Sequence, residues 1–165
     1  HPIGSGAINR LFLYIRRRGG SVMVSTKEFR TRMHELMREQ YSIGLAADQN
    51  TNPDSGRWLY FFTKPVPFIP GPERGAVRNN TAVIFVGFEK RKRGHYHLHT
   101  SLVCENGQET RSGELTILYR DLLEAAVRKN PDSYLWTHRR WRHDFSEKHA
   151  GLWSDNRPLP LVRQG

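Results

Sequence analysis

The longest apolar stretch in this 165-residue chain is only seven residues, Ala82 to Phe88. A bilayer-spanning helix needs about 20 consecutive apolar residues, so no part of the chain reads as a span. A short apolar run bounded by polar residues reads instead as a buried core strand. Arg10, Arg16, Arg17 and Arg18 break up the early apolar residues and leave no secretory-signal pattern. The length suits one domain with a core of its own. Cys104 is the only cysteine, which excludes a disulfide framework and a cysteine-built metal cage. Without an evident histidine partner it reads as a structural residue rather than a thioester nucleophile.

Apolar spacing divides the rest of the chain. Leu11, Phe12 and Ile15 recur at helical intervals within Asn9 to Arg18, and Gly19-Gly20 stops them. Val22 to Val24 and Ser42 to Ala47 read as buried strands. Between them, Ser25 or Thr26 can cap a helix carrying Phe29, Met33, Leu36 and Met37 on one face. Asn50 to Gly56 is a turn-rich loop, and Trp58 to Phe62 is a strand or an apolar flap. Pro65, Pro67, Pro70 and Pro72 exclude regular structure until a short helix from about Glu73 to Asn79. His95 to Val103 alternates as a strand after a basic turn, with Asn106-Gly107 as the next turn. Leu115, Leu118, Leu122 and Ala126 mark a helix over about Glu114 to Lys129, stopped at Asn130-Pro131. Polar and proline-rich composition predicts a weakly ordered tail over 146–165. The order of elements predicts an α/β domain over 1–145 with a mostly parallel central sheet flanked by helices.

Charge narrows the partners. Twenty-six Lys and Arg against sixteen Asp and Glu give a net +10. That balance favours nucleic acid, anionic lipid, phosphorylated ligands or acidic carrier proteins. The cations form three clusters, at Arg16-Arg17-Arg18, Lys90-Arg91-Lys92-Arg93 and Arg139-Arg140-Trp141-Arg142. Around the last, Arg suits forked phosphate binding and Trp a lipid–water boundary. A packed segment with solvated arginines fits the same residues. His95, His97 and His99 share a strand face, with neighbours about 6.6 Å apart, but no further metal ligand is evident and a solvated face is the plainer reading. His34 and Glu39 spell His-x4-Glu, yet on a helix they point about 140° apart.

Pro131 to Arg142, with Tyr134, Trp136, His138, Arg139, Arg140 and Trp141, resembles the closing signature of the bacterial lipid A biosynthesis acyltransferases. These are the lauroyl and myristoyl transferases of the lysophospholipid acyltransferase superfamily. Leu123-Glu124 matches a Leu-Glu pair in the preceding helix. Ala46-Ala47-Asp48-Gln49, followed by Tyr60-Phe61-Phe62, resembles the family's strand-end Asp motif and aromatic segment. Pro65 to Pro72, with Arg74, Ala76 and Arg78, is similar to its proline-glycine segment. Ala82 to Val86 stands at its hydrophobic strand, with both family prolines replaced. Asn9 and the arginines before Gly19-Gly20 are similar to an early arginine-glycine stretch, so the resemblance runs over about residues 1–145.

The resemblance implies a glycerolipid acyltransferase-like fold, incomplete at its N-terminus. It implies an enzyme that moves a fatty acyl group from an acyl carrier protein or CoA thioester to a hydroxyl of a membrane lipid, a lipid A precursor or lysophospholipid. The acyl thioester is a co-substrate, and no cofactor or metal is implied. Catalytic roles fall to Asp48 and Arg17, and substrate contacts to Arg16, Arg18, Gln49, Arg74, Arg139 and Arg140. For Arg16 to Arg18, a solvated helix terminus is the competing assignment. Asp48 at a strand end beside a loop suits the ligand-facing edge of an α/β sheet. In the family a His-x4-[Asp/Glu] motif supplies the general base. Its expected place is upstream of His1, so the chain resembles the C-terminal two-thirds of a longer enzyme and is expected to be inactive alone. The expected location is the cytoplasmic face of the bacterial inner membrane, peripheral or anchored upstream, against an anionic surface. Trp58, Tyr60, Phe61 and Phe62 either enter that interface or fill a core strand. The family reading includes no nucleic acid; a basic nucleic-acid-binding module is the alternative, resting on charge and interleaved Trp and Arg.

Overall fold

The computed structural model describes residues 3–25, 28–38 and 40–160. The chain divides into two units, residues 1–44 and 45–165. Helix α1 (Gly6–Arg17) opens the first unit. Arg16 and Arg17 in its last turn complement the negative end of the helix, and Gly20, at φ 79°, turns the chain beyond it. Helix α2 (Phe29–Leu36) buries Met33. Its N-cap is Glu28 in helical geometry, not Ser25; Thr26 lies outside the described residues. Neither 22–24 nor 42–47 forms a strand. An apolar run has the means to be buried, but a strand also needs a neighbouring ladder, and these two runs have none among the described residues.

In the second unit, β1 (Arg57–Phe61) and β2 (Lys64–Phe68) pair as an antiparallel hairpin, with Trp58 opposite Pro67 and Tyr60 opposite Pro65. The prolines do not exclude the strand. Alternate residues aim their N–H groups at the same edge, and here that edge is the outer one, where no ladder bond is missed. Gly56 leads into the hairpin with room for no side chain, since a Cβ there would lie 2.7 Å from Pro67 Cβ. Helix α3 (Gly71–Asn79) follows, then a second antiparallel hairpin, β3 (Val83–Lys92) and β4 (His95–Cys104), closed by Gly94 at φ 78°. Helix α4 (Glu114–Lys129) completes the set, and its start is capped by a buried side chain from α3. Glu73 accepts the N–H groups of Gly113 (2.6 Å) and Thr116 (3.1 Å), takes the Thr116 hydroxyl and pairs with Arg57. Leu59, Phe61, Val66 and Phe68 form the core against Leu123 and Val127 of α4.

The fold is therefore α/β, but among the described residues its sheets are two antiparallel hairpins and not one mostly parallel sheet. The parallel pairing among the described residues is an isolated bridge between Trp58 and Trp153. Residues 146–160 of the expected tail pack along the β1 edge, and 161–165 lie outside the described residues. Ser146 and His149 form a reciprocal cap on the 3₁₀ turn Glu147–Leu152, and the buried His149 ring stacks on Trp58 at 4.7 Å. Ser154 donates its N–H to Trp58 O (3.0 Å), and Asp155 accepts the Tyr60 N–H (2.6 Å). The fully buried Asp155 carboxylate also meets Arg120 Nη1 at 2.8 Å. Polar composition hid this because the polar groups are satisfied by the outer edge of β1. No helix among the described residues is long and apolar enough to cross a membrane.

Burial pulls Asp155 toward its neutral form. Hydrogen bonds from Arg120 and from the Arg157 and Tyr60 amides outweigh that and hold its carboxyl below the ordinary carboxylate value. A lowered folded-state pKa stabilises above the unfolded value, about 3.9, and is lost as pH falls through the folded value. Asp155→Ala removes one of the two carboxylates that meet the Arg120 guanidinium, which keeps Asp121 and the Tyr60 carbonyl. It is expected to remove about 1.5–3 kcal/mol in urea unfolding at neutral pH. The variant should also lose part of the wild-type destabilisation below about pH 4. Wild-type stability and an unchanged acid limb would show that this pair does not hold the tail.

Candidate active site

Asp48 stands at a bend directly after the buried Ala47. The residues that follow it are gripped by the closing segment. Asn50 donates its backbone N–H to His138 Nε2 (2.6 Å) and its side-chain amide to the carbonyls of His138 (3.3 Å) and Arg139 (2.7 Å). The first bond places the ring proton of a neutral His138 on Nδ1. Arg140 passes beneath the loop, 1% exposed, and its Nη1 donates to Gln49 O (3.2 Å) and Pro67 O (2.9 Å). Its guanidinium lies 4.2 Å over the Phe68 ring. Arg139, between these two grips, sits at φ 51°. A non-glycine residue holds that left-handed conformation only where its surroundings fix it. Trp141 anchors the segment by stacking on Phe61 at 5.6 Å and donating Nε1–H to Phe61 O.

The electrostatics centre on the same residues. Burial lowers Arg140 to about 10, while the phenols of Tyr134 and Tyr119 and the Asp48 carboxylate act to keep it charged. Arg140 is still a cation at neutral pH. Burial, and then the Asp48 charge, push Tyr119 up. Tyr134 is raised as well, chiefly by burial, with Arg140 opposing. The bend thus carries a carboxylate beside two neutral phenols and a buried cation. Arg140 Nε and Nη2, Tyr134 Oη and Asn50 Oδ1 are buried without hydrogen-bond partners among the described residues. Such an arrangement can orient a hydroxyl or an anionic group presented to the bend.

The expected site residues separate into three places. Gln49, Arg139 and Arg140 gather at the Asp48 bend, but through carbonyls and one buried guanidinium; Arg140 is a packing cation, not a surface one. Arg74 is exposed on α3, at a cavity of about 210 Å³ that Arg57, Pro70 and Gly151 also line. Arg16, Arg17 and Arg18 are exposed at the end of α1 in the first unit. Trp58 and Phe61 are fully buried and belong to the core rather than to a flap. The His97 and His99 rings are 4.3 Å apart, with His99 against Glu89 and His97 against Arg91. Among the described residues no three His, Cys, Asp or Glu side chains converge as a ligand set.

Two residues were not singled out for these contacts. Asn50 looks like one more turn former, and its adjacency to Asp48-Gln49 was the available signal. Glu124, half of the Leu-Glu pair, accepts the Phe62 N–H at 2.5 Å and so fixes the hairpin turn, where Phe62 sits at φ 55°.

The motifs that meet at this bend are the ones whose order along the chain resembled an acyl-transferring enzyme. The profile of the bacterial lipid A biosynthesis acyltransferases matches residues 4–143. The chain belongs to that family and is an acyltransferase of the lipid A biosynthesis type. No curated protein and no solved structure matches it.

Asn50→Ala removes both side-chain grips and leaves the exposed Arg139 carbonyl to water. It is expected to reduce stability by about 0.5–1.5 kcal/mol in urea unfolding. A change within experimental error would show that the loop is held by other contacts.

Proposed function

We propose that this domain transfers a fatty acyl group from an acyl carrier protein or CoA thioester to a hydroxyl of a membrane lipid, a lipid A precursor or a lysophospholipid, at the cytoplasmic face of the bacterial inner membrane. In that reaction the acceptor oxygen attacks the thioester carbonyl carbon. A C–O bond forms, the C–S bond breaks, and the hydroxyl proton ends on the departing sulfur. Asp48 is proposed as the carboxylate at the acceptor, with Gln49 beside it. Arg17, Arg16 and Arg18 are proposed as cationic contacts to anionic substrate groups, and Arg74 as a further one. The net charge of +10 suits an acidic carrier protein and an anionic membrane.

The observation that supports this reading best is the grip of His138, Arg139 and Arg140 on Gln49 and Asn50. Two motifs far apart in the chain meet beside the half-buried Asp48. Burial of Arg140 and stacking of Trp141 withdraw two residues on which the nucleic-acid alternative rested.

In the native enzyme, assayed with an acyl thioester and a lipid acceptor, Asp48→Asn is expected to reduce turnover at least about 10²-fold, with an unchanged unfolding midpoint. Matched losses of activity and stability would make Asp48 a structural carboxylate. Transfer at the wild-type rate would remove it from the reaction.

A further inference from the structure

Helix α1 carries an exposed apolar stripe. Ile8, Leu11, Phe12 and Ile15 follow the i, i+3, i+4, i+7 pattern, are between 42% and 55% exposed, and no residue of the helix is buried. At 3.6 residues per turn, Arg10 and Arg17 fall on the opposite side and Arg16 on one flank. Arg18 follows at once, and Gly6 to Arg18 holds no acidic residue. The Arg16 guanidinium lies 5.6 Å over the Phe12 ring, at the border of the two faces. The stripe faces one side, Arg10 and Arg17 share the other with Leu13 and Tyr14, and the only charges on the helix are cationic. That combination is matched by one environment in particular. Acyl chains accept the stripe while anionic headgroups meet the arginines. At 12 residues it is too short to span a bilayer and suits lying in the interface.

From this we infer that α1 is a membrane-interface helix, seated lengthwise on an anionic lipid surface with Ile8, Leu11, Phe12 and Ile15 toward the acyl chains and Arg10, Arg16, Arg17 and Arg18 toward the headgroups. The inference rests on the lipid-acceptor reading above, for which it supplies the docking element. It moves the apolar contact with the membrane away from Trp58 to Phe62. The chain has a second exposed apolar face, formed by Ile84, Val86, Phe88, Leu98 and Leu102 on the β3–β4 hairpin beside Lys90. That face is the rival site. Glu89 pairs with Arg91 beside it and reduces the charge there, whereas α1 has no counter-charge.

The test is sedimentation of the full chain with phosphatidylcholine vesicles, with and without phosphatidylglycerol, and no acyl donor. The chain should bind the anionic vesicles, bind the neutral ones weakly, and dissociate as salt rises above about 0.15 M. Leu11→Ser with Ile15→Ser should weaken binding at least about tenfold. Arg10→Gln with Arg17→Gln should weaken it roughly 30-fold, at about fivefold per charge. Phe88→Ser with Leu98→Ser should bind as the wild type does. Far-ultraviolet circular dichroism and the unfolding midpoint check each variant for an intact fold. Indifference to lipid charge, wild-type binding by the Leu11/Ile15 variant, or loss of binding in the Phe88/Leu98 variant overturns the inference. Each of those results leaves the acyltransferase reading standing, because that reading is decided by turnover and not by vesicle binding.

Discussion

A guanidinium taken out of water keeps its proton, so it needs acceptors or ring faces wherever it is buried. Arg140 is such a group, and its needs tie together three segments that are remote in sequence. The Gln49 carbonyl comes from the Asp48 bend, the Pro67 carbonyl from β2, and Phe68 lies flat beneath it. Pro67 is free to accept because a proline strand has an idle outer edge. The residue that looks like a strand breaker is thus the reason the closing segment can dock there.

The β1–β2 hairpin serves as the common support of the second unit. Trp58 and Tyr60 turn their backbone groups outward on one edge, where Ser154, Asp155 and Arg120 take them up. Pro67 offers its carbonyl on the other edge. Its two-residue turn is held from α4 by Glu124, while Arg157 donates to Phe62 O at 3.1 Å. Helix α4 is itself started by Glu73 from α3. A short two-stranded sheet is marginal alone; here both edges, one face and the turn are occupied. The Asp48 bend inherits that rigidity through Asn50 and Arg140.

Local chemistry made much of this legible beforehand. The stripe Leu115, Leu118, Leu122 and Ala126 between Glu114 and Asn130 is the observed α4. The Ala82 to Phe88 run is strand β3, but not the buried core strand its apolar composition predicts, since Ile84, Val86 and Phe88 are exposed. What escaped depends on partners distant in the chain. Val22 to Val24 and Ser42 to Ala47 have strand composition but no ladder among the described residues, where the parallel sheet expected from them does not form. Asp155 reads as a tail residue until Arg120, 35 positions earlier, lies against it. At the site, Asp48 and the closing arginines were visible as motifs. That Arg140 would be interior and Asn50 the gripped residue was not, because burial of a cation is decided by acceptors that its own neighbours do not reveal.

The closing segment holds the Asp48 bend. Amide hydrogen exchange on Arg140→Met tests this most directly, since Met keeps apolar contact with Phe68 and removes both donated hydrogen bonds. Faster exchange is expected at Asp48, Gln49 and Asn50, with the amides of Leu123 to Val127 in α4 still protected. Unchanged protection at the bend, or an equal loss at the bend and in α4, would contradict it.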